Sequence, residues 1–184
     1  MPGFSDINFL YNKYYGDNPR LREIVTIHSK NVARKAIGIL RRRQLDLDPG
    51  NVFIAAMLHD IGVVKCYAPD IHAFGKLPYL LHGIEGEKIL IENNLEFFSS
   101  VCANHTGAGI TRDEIIKNNL PLPEKDYIPT TLLERLICYS DKFFSKSGDL
   151  NHEKSPEHIV TQLEKFGKDS VNRFLDMHQE FGID

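Results

Sequence analysis

The stretch Asp48-Pro49-Gly50-Asn51-Val52-Phe53-Ile54-Ala55-Ala56-Met57-Leu58-His59-Asp60-Ile61-Gly62 decides how this chain folds. Asp48 can cap a helix N-terminus, Pro49 suits the first helical position, and Gly62 suits a left-handed C-terminal position. From Val52 to Leu58 the residues are apolar all round, which suits a central helix buried on every side. The polar pair His59-Asp60 then lies where a buried helix meets a cavity.

Outward from this stretch, apolar spacing of three and four residues is everywhere and strand-type alternation is almost absent. Toward the N-terminus the pattern predicts helices from Ser5 to about Tyr15 and from Leu21 to about Arg43. His28 falls in the stripe Leu21, Val25, Val32 and Ala36, so it points inward. Toward the C-terminus, Tyr67 to Leu77, with Pro69 and Gly75, reads as a loop crossing the site. Helices follow at about Tyr79–Asn93, with His82 in the first turn, and at Leu95 to about His105. Thr106 to Gly109 breaks the pattern, Arg112 to Asn118 is a short helix, and Leu120 to Pro129 is loop. Thr131-Leu132-Leu133-Glu134 is a capping box that opens a helix to about Ser145, with Leu133, Ile137, Asp141 and Phe144 on its inner stripe. Ser155-Pro156 starts a last amphipathic helix, about 156–181, with Leu163, Phe166, Val171, Phe174 and Phe181 toward the body. The fold expected is an all-α helical bundle in one domain, residues 1–184.

Composition bounds the function. With 184 residues and 42% hydrophobic content, the chain can bury one sizeable core. A net charge of -3 gives no general basic field for extended nucleic acid. No apolar run approaches the ~20 residues of a membrane span. Met1 to Gly16 lacks a signal-peptide pattern. Cys66, Cys102 and Cys138 are odd in number and widely spaced, and two lie in apolar helical patterns, as reduced core thiols do. Together these place the expected protein in the cytoplasm.

The chemistry lies in His28, His59, Asp60, His82, His105 and Asp141. A single inward histidine is more often a hydrogen-bonded core residue than a ligand. An ionised Asp141 in an apolar stripe needs a cation or several donors, and separate partners would be needed for every other group. One pair of divalent ions satisfies all six together. Nitrogen-rich ligation with carboxylates favours Fe, Mn, Co, Ni or Zn over magnesium alone.

His59-Asp60-Ile61-Gly62, with the remaining ligands in the order His28, His82, His105 and Asp141, resembles the HD superfamily of metal-dependent phosphohydrolases in its HDIG form. The resemblance covers about Leu21 to Ser147. It is narrowed by Asn104-His105-Thr106-Gly107-Ala108-Gly109-Ile110-Thr111 and Tyr139-Ser140-Asp141-Lys142-Phe143-Phe144-Ser145-Lys146, which look like a small single-domain bacterial and archaeal branch of phosphohydrolases. In size and ligand order the chain is also similar to HD hydrolases that split diadenosine tetraphosphate. The resemblance implies that His28, His59, Asp60 and Asp141 hold a first metal and His82 and His105 a second, with Asp60 bridging. It implies hydrolysis of a phosphate ester or anhydride of a small metabolite, most simply a nucleotide, by hydroxide held between the metals. His59 and Asp60 would act catalytically through that hydroxide.

Further candidates flank the ligands. Lys142 could assist the reaction, while Lys65, Arg112 and Lys146 could bind phosphate oxygens; surface charge is the plainer role for at least two of the four basic residues. Gly107 and Gly109 could offer backbone N–H groups to phosphate, or simply terminate a helix. Some relatives carry lysine directly after the HDIG glycine, where this chain has Val63, and the Gly-Tyr-Pro signature of cyclic-di-GMP hydrolases is absent. His72, His152, His158 and His178 read as solvent-side residues. Two other functions fit the same ligand order: a di-iron oxygenase and a non-catalytic metal-dependent binding module. A homodimer is compatible with the sequence.

Overall fold

A computed structural model describes residues 3–182 and builds them almost wholly from helices. Helix α1 spans Phe4–Tyr15 and α2 spans Pro19–Arg43; the Asn18 side chain caps α2 by accepting from the Leu21 N–H. Helix α3 spans Pro49–Leu58, with Asp48 accepting from the Asn51 N–H as its cap. It is apolar on every side because α2 covers it along its length and α1 and later helices close round it.

Gly62 is not a left-handed cap. After Leu58 the chain tightens into a 3₁₀ turn, Ile61–Lys65. Gly62 lies in it because a Cβ there would fall 2.1 Å from the His82 carbonyl oxygen and 2.3 Å from the Gly86 nitrogen. The requirement is close approach of two backbones, not a positive φ. The crossing segment after the turn is a small hairpin rather than open loop: β1 (Tyr67–Ala68) pairs antiparallel with β2 (Ala73–Phe74).

Helix α4 (His82–Glu92) lies against both the 3₁₀ turn and α5 (Ser99–Asn104). Next come α6 (Arg112–Lys117) and α7 (Leu132–Asp141), each opened by a complete capping box, Thr111 with Glu114 and Thr131 with Glu134. The expected single C-terminal helix is two. Helix α8 (Pro156–Leu163) runs into a 3₁₀ turn at Glu164–Phe166, and Gly167 at φ +102 redirects the chain into α9 (Lys168–Phe181). Phe174 and Phe181 are buried as the spacing predicts, but Phe166 sits on this elbow and is exposed. The core is one main apolar cluster from α1 to α9, with a small satellite of Ala103, Ile115 and Tyr127. All three cysteines are buried free thiols, and no described helix is long and apolar enough to cross a membrane.

Candidate metal centre

Five helix segments deliver six polar side chains to the middle of this core. His28 comes from within α2, His59 and Asp60 from the end of α3, His82 from the start of α4, His105 from the end of α5, and Asp141 from the last residue of α7. All six are buried. Two overlapping groups form, one of His28, His59, Asp60 and Asp141 and the other of Asp60, His82 and His105, with the ligand atoms of each group within 4.8 Å of one another.

Three of the four histidines are aimed by the backbone just before them. Nδ1 of His59 donates to the Ala56 carbonyl, that of His82 to Tyr79 and that of His105 to Cys102, each at 2.7 Å and three residues back. A carbonyl only accepts, so Nδ1 carries a proton, and in the neutral ring Nε2 is left with a lone pair turned inward. These pairs converge: His82 Nε2 lies 3.0 Å from His105 Nε2, and His28 Nε2 lies 3.3 Å from His59 Nε2. Two nitrogens bound to one transition metal at ~2.1 Å stand about 3.0–3.4 Å apart for right-angle to tetrahedral ligation.

Asp60 sits between the pairs. Its Oδ2 is 3.2 Å from His28 Nε2 and 3.1 Å from His59 Nε2, and its Oδ1 is 3.6 Å from His82 Nε2 and 3.4 Å from His105 Nε2. Although Lys146 Nζ lies 2.6 Å from Oδ2, neither oxygen accepts a well-formed hydrogen bond. A fully buried carboxylate ringed by inward lone pairs is costly unless cations lie among them. The donor set therefore fits metal ions, and these residues could hold them.

The electrostatics agree. Burial works to raise the Asp60 carboxyl, yet His59 and Lys146 outweigh it and hold it well below the usual range; Asp141 behaves likewise against burial through Lys142 and Lys146. Burial also works against a charge on His59, but Asp60 and Asp141 lift it to about 9. Burial and neighbouring His105 push His82 down to about 3, and burial lowers His105 despite Asp60. One half of the cluster demands positive charge while the other offers neutral imidazoles, as a cation site requires.

Two of the flanking basic residues join the cluster. Lys142 Nζ is 2.8 Å from Asp141 Oδ2, and both Lys142 and Lys146 keep only 13% of their side chains exposed. Lys65 and Arg112 do not join it. The 3₁₀ turn sends Lys65 outward over the Tyr14 ring, and Arg112, in the first turn of α6, pairs at the surface with Glu124. Gly107 and Gly109 have positive φ, +62 and +88, as a tight turn needs, but the Gly109 N–H already donates to Thr106. His178 is no solvent-side residue: its Nδ1 lies 2.7 Å from the Tyr139 hydroxyl.

The structure adds two residues that the sequence did not single out. Tyr79 stacks on the His82 ring at 4.7 Å, and its carbonyl accepts from His82 Nδ1; the three-residue spacing of Tyr79 and His82 was its one signal in the sequence. Arg173, from α9, has no such signal. Its guanidinium donates to the Ala108 and Gly109 carbonyls and to both oxygens of Glu114, clamping the turn that follows His105. Arg173→Leu should therefore lower stability by about 2 kcal/mol in chemical denaturation, the scale of charge-assisted bonds left unpartnered. A loss below about 0.5 kcal/mol would show that the clamp does not hold the turn.

The HD domain family matches residues 25–145, a span that contains all six cluster residues. An uncharacterized protein of Methanocaldococcus jannaschii is 29% identical over 147 residues, covering 77% of this chain and 76% of its own length. Two proteins named tRNA (cytidine(56)-2'-O)-methyltransferase are also similar. That of Picrophilus torridus is 36% identical over 131 residues, and that of Thermoplasma volcanium is 27% identical over 154. The matches cover 70% and 83% of this chain but only 33% and 40% of the methyltransferases. No solved structure matches.

Proposed function

The chain belongs to the HD domain family, and from that premise we propose that it is a cytoplasmic metal-dependent phosphohydrolase acting on a phosphate ester or anhydride, with a nucleotide as the substrate class. The observation that carries the reading is Asp60, fully buried, with each oxygen turned to a different histidine pair. His28, His59, Asp60 and Asp141 would hold one divalent transition metal ion, and Asp60, His82 and His105 a second. When bound, such a pair supplies Lewis acidity and lowers the pKa of water.

The chain's own residues do the rest. Lys142 and Lys146 bring two ammonium groups to the carboxylates, where they can donate to the non-bridging oxygens of a phosphate. Tyr79 fixes the His82 ring by stacking on it and by accepting from its Nδ1 at the main-chain carbonyl. Burial of the cluster keeps bulk water from screening these charges. A nucleotide is supported by the relatives named for a reaction on a tRNA cytidine.

The test is hydrolysis of bis(4-nitrophenyl) phosphate and a nucleotide panel by protein loaded with Mn or Co. Turnover should require the metal, proceed without oxygen, and fall by at least the ~10² that loss of one electrostatic stabiliser costs when Asp141 is replaced by alanine. Turnover surviving both chelation and Asp141→Ala would overturn the assignment. Strict dependence on O₂ and iron, with an oxidised carbon in the product, would make the protein an oxygenase with the same ligands.

A further inference from the structure

A cleft of about 790 Å³ is lined by residues that adjoin two of the cluster histidines along the chain. Its inner wall belongs to the backbone that positions the cluster: Thr106 and Gly107 directly follow His105, and Leu80 precedes His82 by two residues. Its outer wall is Glu164–Ser170, the elbow between α8 and α9, which lies beyond the 25–145 family match. This wall lies in the C-terminal part of the chain, outside the family match, where a choice among substrates can reside.

The lining has two chemical characters. Phe166 keeps 67% of its surface exposed and lines the cleft with the apolar side chains of Leu80, Ile110 and Leu120. Lys117, Lys165 and Lys168 line it as well, and none is in an ion pair among the described residues. Arg173 and Glu114 neutralise each other in the wall. Three ammonium groups without ion-pair partners among the described residues thus share the lining with the carboxylates of Glu164 and Asp169 and with apolar side chains. An open aromatic ring among exposed cations suits a flat, anionic molecule, and the volume lies in the ordinary range for small-ligand sites.

We propose that this cleft is the specificity subsite of the protein and receives the base of a nucleotide. The base stacks on Phe166, and Lys117, Lys165 and Lys168 face phosphate oxygens that are not attacked. The phosphate to be cleaved lies toward the cluster, across the Thr106–Gly107 turn. This inference rests on the phosphohydrolase reading of the cluster.

The chain has no tryptophan, so Phe166→Trp yields a single-tryptophan protein whose emission reports on the cleft directly. Because the ring is exposed, the change does not disturb the core. The Mn-loaded full chain is titrated with adenosine 5′-(α,β-methylene)diphosphate, which resists cleavage between its phosphates. Saturable quenching is expected. Adding Lys168→Glu should weaken it about tenfold, and calorimetry on Phe166→Ala should show a similar loss with metal content unchanged. Unquenched emission, or equal affinity in all variants, overturns the subsite. Bis(4-nitrophenyl) phosphate, which carries no base, separates the two readings: its hydrolysis without quenching leaves the cluster's chemistry standing and removes the subsite. Quenching without hydrolysis of any ester removes the phosphohydrolase and with it the cleft's role as a specificity subsite, leaving nucleotide binding alone.

Discussion

Asp60→Ala is expected to strip the cluster of transition metal altogether, whereas His82→Ala or His105→Ala should leave about one equivalent per chain. The asymmetry follows from geometry. Asp60 alone faces both histidine pairs, Oδ2 toward His28 and His59 and Oδ1 toward His82 and His105. Its removal takes a ligand from both groups and the negative charge they share. Removal of His82 leaves His28, His59, Asp60 and Asp141 intact. Elemental analysis after reconstitution with Mn or Co and dialysis should give about two equivalents for the unaltered chain, as two-metal sites hold. Wild-type protein that stays metal-free under these conditions would sink the assignment of the cluster.

Gly62→Ala should be among the costliest single methyl additions to the described part of the chain. Its Cβ would meet two backbone atoms of α4 at 2.1 and 2.3 Å, where no rotamer change gives relief. The 3₁₀ turn must lift off α4, shifting Asp60 on one side and His82 on the other. We expect a cost above ~4 kcal/mol, or no folded protein. Gly38→Ala is the internal comparison. Gly38 lies inside α2, and a methyl group there would have nothing within 4 Å, so the change should stabilise by about 0.5–1 kcal/mol. Thermal unfolding of both variants decides the matter, and a Gly62→Ala protein as stable as wild type would refute the close-contact account.

The helices with both a polar cap and an apolar stripe were legible in the sequence. Asp48, Thr131 and Glu134 do what their types predict, and the stripes of α2 and α7 carry His28 and Asp141 inward. Legibility failed where a local pattern has two solutions. A glycine after a helix suits a left-handed cap or a close crossing, and only the position of α4 chooses between them at Gly62. Spacing of three and four continues from Leu163 to Phe181, yet Gly167 breaks the helix and turns Phe166 outward. Among the basic residues, sequence proximity could not separate Lys146, which reaches Asp60, from Lys65, which is turned to the surface. Arg173 was invisible because its acceptors, the Ala108 and Gly109 carbonyls and the Glu114 carboxylate, lie 59 to 65 residues away.

The separation of the ligands along the chain bears on the order of folding. His28 and Asp141 meet at 2.9 Å across 113 residues. A contact of that span closes only after the intervening chain has lost its freedom, so no fragment that lacks either end of it can assemble the first group. Ions that bind the finished cluster and not the open chain therefore pull the folding equilibrium, by about 2.7 kcal/mol when free metal is a hundred times its dissociation constant. Chelation should then lower the melting temperature without abolishing the helices, whose caps and apolar stripes form independently of the cluster. Local opening at any of the five contributing segments would loosen the ions, so metal release reports on the integrity of the whole bundle.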